Sequence, residues 1–357
     1  MSNEIRIGII GCGWATENLH VPALRRVGCY RIVAVADTNR QRSESFAGRR
    51  GIAQWFNEPS QLIEHPDVEA VAVCVPPDHH VSLAIDALAV GKHVFIEKPM
   101  ALTMEQADRL VAVAKLSRQK VLVGFNLRWH RLVQECRRMV NANAIGPLSA
   151  MRTTFTNPLL HKPTSPAWRK DRACGGGVIY DLAVHHFDLW RFLLCSEVQE
   201  LSAWCRSDDW HDEAAVISAR MANGILVSSV FAHGTVDDHQ LELYGSKGKL
   251  QVSLYRHDGL QFFRHGENRL TTTFHRLAGM TRTLPAAITA LKNGGEIFSS
   301  YDAQWKHFYD CVRTGARIDC TVEDGLRATE LSAAAVESAQ MKRSINMNLS
   351  SVGRSYD

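Results

Sequence analysis

The apolar run His93-Val94-Phe95-Ile96 ends abruptly in Glu97-Lys98-Pro99. An amine at the carboxyl end of a buried strand lies where open α/β sheets bind their ligands, so Lys98 is the first candidate for chemistry. Near the start of the chain a second apolar run enters Gly11-Cys12-Gly13-Trp14-Ala15. In such a turn Gly11 permits the tight reversal and Gly13 lets the backbone approach a pyrophosphate, which the following helix N-terminus favours. The third small position of the pattern holds Thr16 instead of Gly or Ala. Asp37 closes the next apolar run, 26 residues beyond Gly11, near the interval at which an acid accepts the hydroxyls of an adenosine ribose. An acid there repels a 2′-phosphate and favours NAD over NADP, although Arg40 is placed to accommodate that phosphate.

A further constellation lies in Gly175-Gly-Gly-Val-Ile-Tyr-Asp181-Leu-Ala-Val-His185-His186-Phe-Asp188. Residues four apart share a helix face, so Asp181 and His185 are expected to meet. A carboxylate beside an imidazole orients it and suits it to general acid or base work. The paired histidines and Asp188 also invite a metal. We expect none, because no third-ligand pattern or paired-cysteine spacing accompanies them.

These residues need elements to hold them. Apolar runs at 5–10, 32–36, 68–75, 93–96 and 121–125 alternate with amphipathic stretches, among them Val81–Leu88 and Met104–Ser117, the latter opened by Thr103 as a helix cap. That rhythm predicts a doubly wound parallel sheet of the Rossmann type over residues 1–126. Beyond it come a helix at 132–140, a strand at 149–156, a loop holding Pro158, Pro163 and Pro166, and a long helix from the triple glycine to Leu194. Alternating segments at 198–206, 214–221, 225–232, 239–244 and 249–255, with turns at Asn223-Gly224 and Gly245–Gly248, read as antiparallel hairpins. Two helices, 301–314 and 323–342, close the chain. Residues 127–357 are thus expected to form an α+β domain on a large, mostly antiparallel open sheet.

A chain of 357 residues exceeds what one core usually supports, in keeping with two domains. The formal charge is only +4 and the basic residues are scattered, which gives no footprint for nucleic acid. The nine cysteines show no paired spacing and read as reduced thiols. No signal-peptide pattern opens the sequence, and no apolar stretch is long enough to span a bilayer. A cytoplasmic protein is the expectation.

The chain resembles the Gfo/Idh/MocA oxidoreductase family over nearly its whole length. The residues that carry the likeness are the glycine turn, His20-Val-Pro-Ala-Leu24, Asp37, Pro76-Pro77-Asp78-His79-His80, Glu97-Lys98-Pro99, Gly124-Phe125-Asn126, Trp168-Arg169, Gly175 to Asp188, and the closing Asp324–Ala328 segment. The resemblance implies Lys98 as catalytic lysine with Asp181 and His185 as partners. It places Pro76, Pro77, His80, Glu97 and Asn126 along the cofactor, and Trp168 and Arg169 near the nicotinamide or the substrate. It also implies a cis Lys98–Pro99 bond and a homodimer or homotetramer formed through the open sheet.

The implied reaction moves a hydride between nicotinamide and a secondary alcohol or ketone of a sugar, inositol or related polyol. The cationic ring disfavours the ammonium form of a neighbouring lysine, so Lys98 is suited to share the alcohol proton. His185, oriented by Asp181, is the alternative carrier, and the division between them stays open. Arg128 is read either as a substrate ligand or as a helix cap. His161 and Lys162 read either as further groups for hydroxyls or as part of a solvated connection. Two other readings remain: an NAD-dependent glycosidase working through transient oxidation, and a non-catalytic NAD-binding regulator.

Overall fold

In the computed structural model the described residues are 3–162, 165–256, 258–266 and 296–347. Pro163 of the proline loop lies outside them. The chain divides into two compact units, one of Met1–Asn126, Ala173–Gly175 and Tyr301–Glu330, the other of Leu127–Arg172, Gly176–Ser300 and Leu331–Asp357.

The first unit is built on β1 (Ile5–Ile10), α1 (Val21–Val27), β2 (Tyr30–Ala36), α2 (Arg40–Arg50), β3 (Gln54–Phe56), α3 (Pro59–Ile63), β4 (Ala70–Val73), α4 (His80–Ala89), β5 (His93–Ile96), α5 (Met104–Leu116) and β6 (Val121–Val123). The strands lie in the order β3-β2-β1-β4-β5-β6, and every pairing is parallel. This is the Rossmann order, with its switch point between β1 and β4. All of β4 is buried, as a strand covered by helices on both faces must be. The edge strand β3 was not expected from sequence: it is three residues long and none is fully buried, so it carries no apolar run. Thr103 does cap α5, its hydroxyl accepting from Gln106 N at 3.2 Å.

The second unit contains α6 (Arg131–Asn141), β7 (Leu148–Asn157), α7 (Val184–Leu194), β8 (Val198–Arg206), β9 (Ala214–Met221), β10 (Leu226–His233), β11 (Asp238–Gly245), β12 (Gly248–Ser253) and β13 (Leu260–Arg264). Further along the chain come α8 (Glu296–Thr314) and α9 (Val322–Met341), which the two units share, and β14 (Ile345–Asn346), which joins the second-unit sheet. Its sheet runs β13-β12-β11-β7-β10-β9-β8-β14. Among the described residues β10 and β7 pair in parallel, and the other pairings are antiparallel. Burial alternates along β9 and β10, as in β10, where Val227, Ser229, Phe231 and His233 are buried and the residues between them are not. Helix α7 is buried on every side. Its Phe187 and Trp190 rings pack edge to face at 5.0 Å, and each such burial is worth roughly 1.5–3 kcal/mol.

Two expectations change. The second domain, 127–357, is interrupted, because Tyr301–Glu330 belongs to the first unit. The cause is apolar: Trp305 of α8 lies 4.3 Å from the Phe95 ring and its carbonyl accepts the Tyr30 hydroxyl at 2.7 Å. The helix expected from the triple glycine onward is also not uniform. Ile179–Ala183 is a π-type turn that precedes α7, so Asp181 and His185 do not follow ordinary α-helical spacing.

Candidate functional site

In the first unit the candidate groups gather at the carboxyl ends of β1, β2, β4 and β5. Gly11 adopts a φ of +99°, and a Cβ there would stand 2.2 Å from the Cys74 carbonyl oxygen. Only glycine lets the turn pass so close to β4. Thr16, the apparent departure from the pattern, is buried and donates its hydroxyl to Gly11 O at 2.6 Å. It ties the turn from within, a task that Gly or Ala at this position would leave undone. Space is open where a Cβ of Gly13 would project, and the exposed Trp14 and the half-buried Ala15 follow it.

Asp37 ends β2 with its carboxylate almost covered. Oδ2 accepts from Cys12 N at 3.0 Å, Oδ1 accepts from Asn39 N at 2.9 Å, and Arg42 Nη1 lies 3.3 Å from Oδ2. Burial, reinforced by Asp37, pushes the Cys12 thiol up to about 12, so Cys12 contributes its backbone to the turn and no thiolate. Sequence reasoning singled out Arg40, which instead lies over the Trp55 ring at 5.4 Å, and missed Arg42. An open glycine turn with an acid at the end of β2 fits a dinucleotide: the turn offers amides to a pyrophosphate and Asp37 offers oxygens to a ribose.

Around Lys98 the side chains are tied inward. The Lys98–Pro99 bond is cis. The Lys98 amide donates to Glu97 Oε2 at 3.0 Å, and Glu97 Oε1 lies 3.1 Å from Nε2 of the fully buried His20. Burial pushes His20 down, but Cys74 and Glu97 beside it outweigh burial and raise it to about 10. The same pairing holds Glu97 below the usual carboxylate range, against the opposing effect of burial. A Cβ at Gly124 would press to 3.0 Å from Glu97 Oε1. His80 has Nδ1 2.8 Å from Pro99 O and Nε2 2.8 Å from Val75 O. Two carbonyl acceptors ask for an imidazolium, but burial is the larger influence and holds His80 below its ordinary value. The ring thereby ties Val75, next to Pro76 and Pro77, to the turn that carries Lys98. Asn126 is buried at the first turn after β6.

In the second unit Asp181 sits on the π-type turn, and its Oδ2 accepts from Arg169 Nη1 at 2.8 Å. His233 Nε2 lies 3.8 Å from the same oxygen. The Arg169 guanidinium also covers the Trp168 ring at 5.0 Å. This loop reaches Asp181 because Gly176 has no side chain: a Cβ there would stand 2.3 Å from Arg169 O. His185 is buried at the start of α7, its ring 6.3 Å from that of Phe155. Arg128, read from sequence as substrate ligand or helix cap, is buried and donates to Asp188 Oδ2 at 2.7 Å. His130, and not Arg128, caps α6. His161 reaches Gly234 O at 2.9 Å.

Behind His185 lies a buried chain that the sequence did not suggest. His186 Nδ1 is 2.7 Å from Thr153 Oγ1, which is 2.6 Å from Ser229 Oγ, and His186 Nε2 is 3.0 Å from His239 Nε2. Burial lowers His186 to about 3 and His239 well below its ordinary value, so both are neutral. Among the described residues no group of three or more His, Cys, Asp or Glu is arranged to hold a metal ion. No helix among them is long and apolar enough to cross a membrane.

A Rossmann sheet with a glycine turn at β1 and an acid at the end of β2 defines a dinucleotide-binding protein. Residues 5–125 match the oxidoreductase family with an NAD-binding Rossmann fold, and residues 133–251 match the GFO/IDH/MocA C-terminal domain. The chain belongs to the Gfo/Idh/MocA oxidoreductases, and its first unit is their NAD-binding domain. It is 27% identical to a myo-inositol 2-dehydrogenase of Thermotoga maritima over 96% of this chain and 98% of that protein. It is 26% identical to an inositol 2-dehydrogenase of Rhizobium meliloti over 96% and 99% of the two chains. The fold matches that of a levoglucosan dehydrogenase in complex with NADH, with a TM-score of 0.83 at 20% identity, covering 97% of this chain and 99% of that one.

Proposed function

We propose that the protein is an NAD-dependent dehydrogenase that interconverts a secondary alcohol and a ketone on a polyol, an inositol or a sugar. The observation that carries this reading is the Arg169–Asp181 pair beside Trp168, in a chain that also presents Lys98 at the end of β5. A charged pair next to an aromatic face suits a polyhydroxylated ring, whose hydroxyls need donors and acceptors and whose C–H face needs a flat surface. The names of the relatives, inositol dehydrogenases along their full lengths, support the same substrate class.

Bound NAD supplies the hydride acceptor. Lys98 is proposed to hydrogen-bond the reacting oxygen and share its proton, with His185 and Asp181 as the further proton carriers. Pro76, Pro77 and Asn126 are proposed to lie along the cofactor. Glu97 and His80 act through the backbone of the Lys98 turn, since the partners described for their side chains lie inside the fold. A screen of inositols and sugars with NAD, following reduced nicotinamide, tests the reading. Lys98→Ala should abolish turnover while NAD still binds. Activity close to wild type in that variant, or a wild type that reduces NAD with no polyol, would sink it.

We further infer a homodimer or homotetramer formed through the outer face of the second-unit sheet. The support is the row Trp204, Val216 and Val230, aligned across three strands and exposed by 61%, 42% and 44%. A cytoplasmic location is inferred from the nine cysteines, all of them free thiols. Trp204→Glu should halve the mass seen by light scattering, and an unchanged mass would refute the interface.

A further inference from the structure

We propose that His233, the last residue of β10, is a positioning residue that governs the ionisation and orientation of Asp181; this rests on the proposed place of Asp181 in the site. Asn157 ends the neighbouring strand β7. Its Oδ1 accepts the Leu159 amide at 3.1 Å, and a backbone N–H can only donate, so that atom is the oxygen of the side-chain amide. His233 Nδ1 lies 2.9 Å from the same Oδ1 and must therefore carry the proton. The backbone holds the pair in place, because the Asn157 carbonyl accepts Gly234 N at 2.7 Å and Thr235 N at 3.2 Å.

With Nδ1 protonated, the neutral ring turns its Nε2 lone pair toward Asp181 Oδ2, 3.8 Å away. A lone pair facing a carboxylate gains nothing. A second proton on Nε2 turns the contact into an ion pair on an oxygen that Arg169 already holds. The tautomer set by Asn157 thus makes His233 a proton store aimed at Asp181, which a strand-end histidine chosen only to fill space would not need. Trp210 stands edge-on to the His233 ring at 6.1 Å, with the Lys170 ammonium 5.8 Å from the same indole. The His233 amide donates to the Glu213 carbonyl at 2.8 Å, while the Glu213 carboxylate is occupied by the amides of Asp209 and Trp210. His161 rests on the next carbonyl, Gly234 O.

The test uses the full chain labelled with 15N-histidine, with the His233 signals assigned by their loss in His233→Gln. The expected result is an Nδ1-protonated neutral ring that takes up its second proton about tenfold more weakly in Asp181→Asn, since an opposite charge at this range favours the cation. In steady-state kinetics His233→Gln should lower kcat about tenfold and move the pH dependence of kcat, with KM for NAD unchanged, whereas damaged folding would lower activity without moving the profile. His233→Leu should be worse than His233→Gln, which keeps an amide donor. A neutral ring protonated on Nε2, a titration indifferent to Asp181→Asn, or an unmoved pH profile overturns the proposal. A wild type that oxidises no polyol would overturn the assigned reaction instead, and the titration arm would still decide the coupling.

Discussion

Replacing His20 by leucine tests how the end of β5 is held. His20 is caged by the rings of Phe95, Tyr301 and Trp305 at 5.4, 5.3 and 5.8 Å and reaches Glu97, whose other oxygen holds the Lys98 amide. Leucine fills the cage but leaves a buried carboxylate without its cation, a change that costs about 3–5 kcal/mol. The raised His20 value bounds the same quantity. His20 rises from 6.5 to about 10, and at 1.36 kcal/mol for each unit that is at most about 5 kcal/mol. The folded value lies above the unfolded one, so the stabilisation is complete below pH 6.5 and is lost as pH climbs toward about 10. Urea midpoints across that range should therefore fall with pH in the wild type and stay flat in His20→Leu. The variant should melt roughly 5–10 °C lower at neutral pH. Adding Glu97→Gln should recover most of the loss, because it removes the stranded charge. The reasoning fails if His20→Leu unfolds like the wild type at neutral pH, or if the double variant is no more stable than the single one.

Gly11→Ala should abolish NADH binding measured by the fluorescence of the reduced nicotinamide while the chain still folds, because the new Cβ meets Cys74 O at 2.2 Å and the turn must shift. Thr153→Val should cost about 2 kcal/mol in urea unfolding, since it strands His186 Nδ1 and Ser229 Oγ without changing shape. His186, held near 3 by burial, is neutral when folded and takes a proton when unfolded below 6.5. Acid should therefore destabilise the protein as pH falls from 6.5 toward about 3. His186→Asn should flatten that slope in circular dichroism, and an unchanged slope would refute the assignment.

Much of the fold was legible because its signals are local. Apolar runs buried on two faces marked the strands of the first unit, and strict alternation with Asn223-Gly224 and Gly245–Gly248 marked the hairpins of the second. β8 and β9 fall at the expected residues. β3, β13 and β14 were missed: β3 and β14 are short, and all three lack an interior side-chain pattern. Such edge strands exist only because a neighbour offers a row of backbone partners. Arg42 escaped notice for a related reason, since an arginine five residues beyond an acid is marked as its partner only by the curl of the chain after β2.

Sequence alone determined the strand–helix alternation of a doubly wound parallel sheet, the glycine turn, the acid at β2 and the lysine at the end of β5, all of which are written in residues adjacent along the chain. Tertiary structure alone decided which groups surround them. The π-type turn moves Asp181 off simple helical spacing and sets it against Arg169 and His233. Asp188 is spent on Arg128, and Glu97 finds His20 across the first unit. The physical reason is that backbone periodicity depends on neighbours a few residues away, whereas a buried charge takes its partner from whatever element packs beside it, at a separation that no local spacing records.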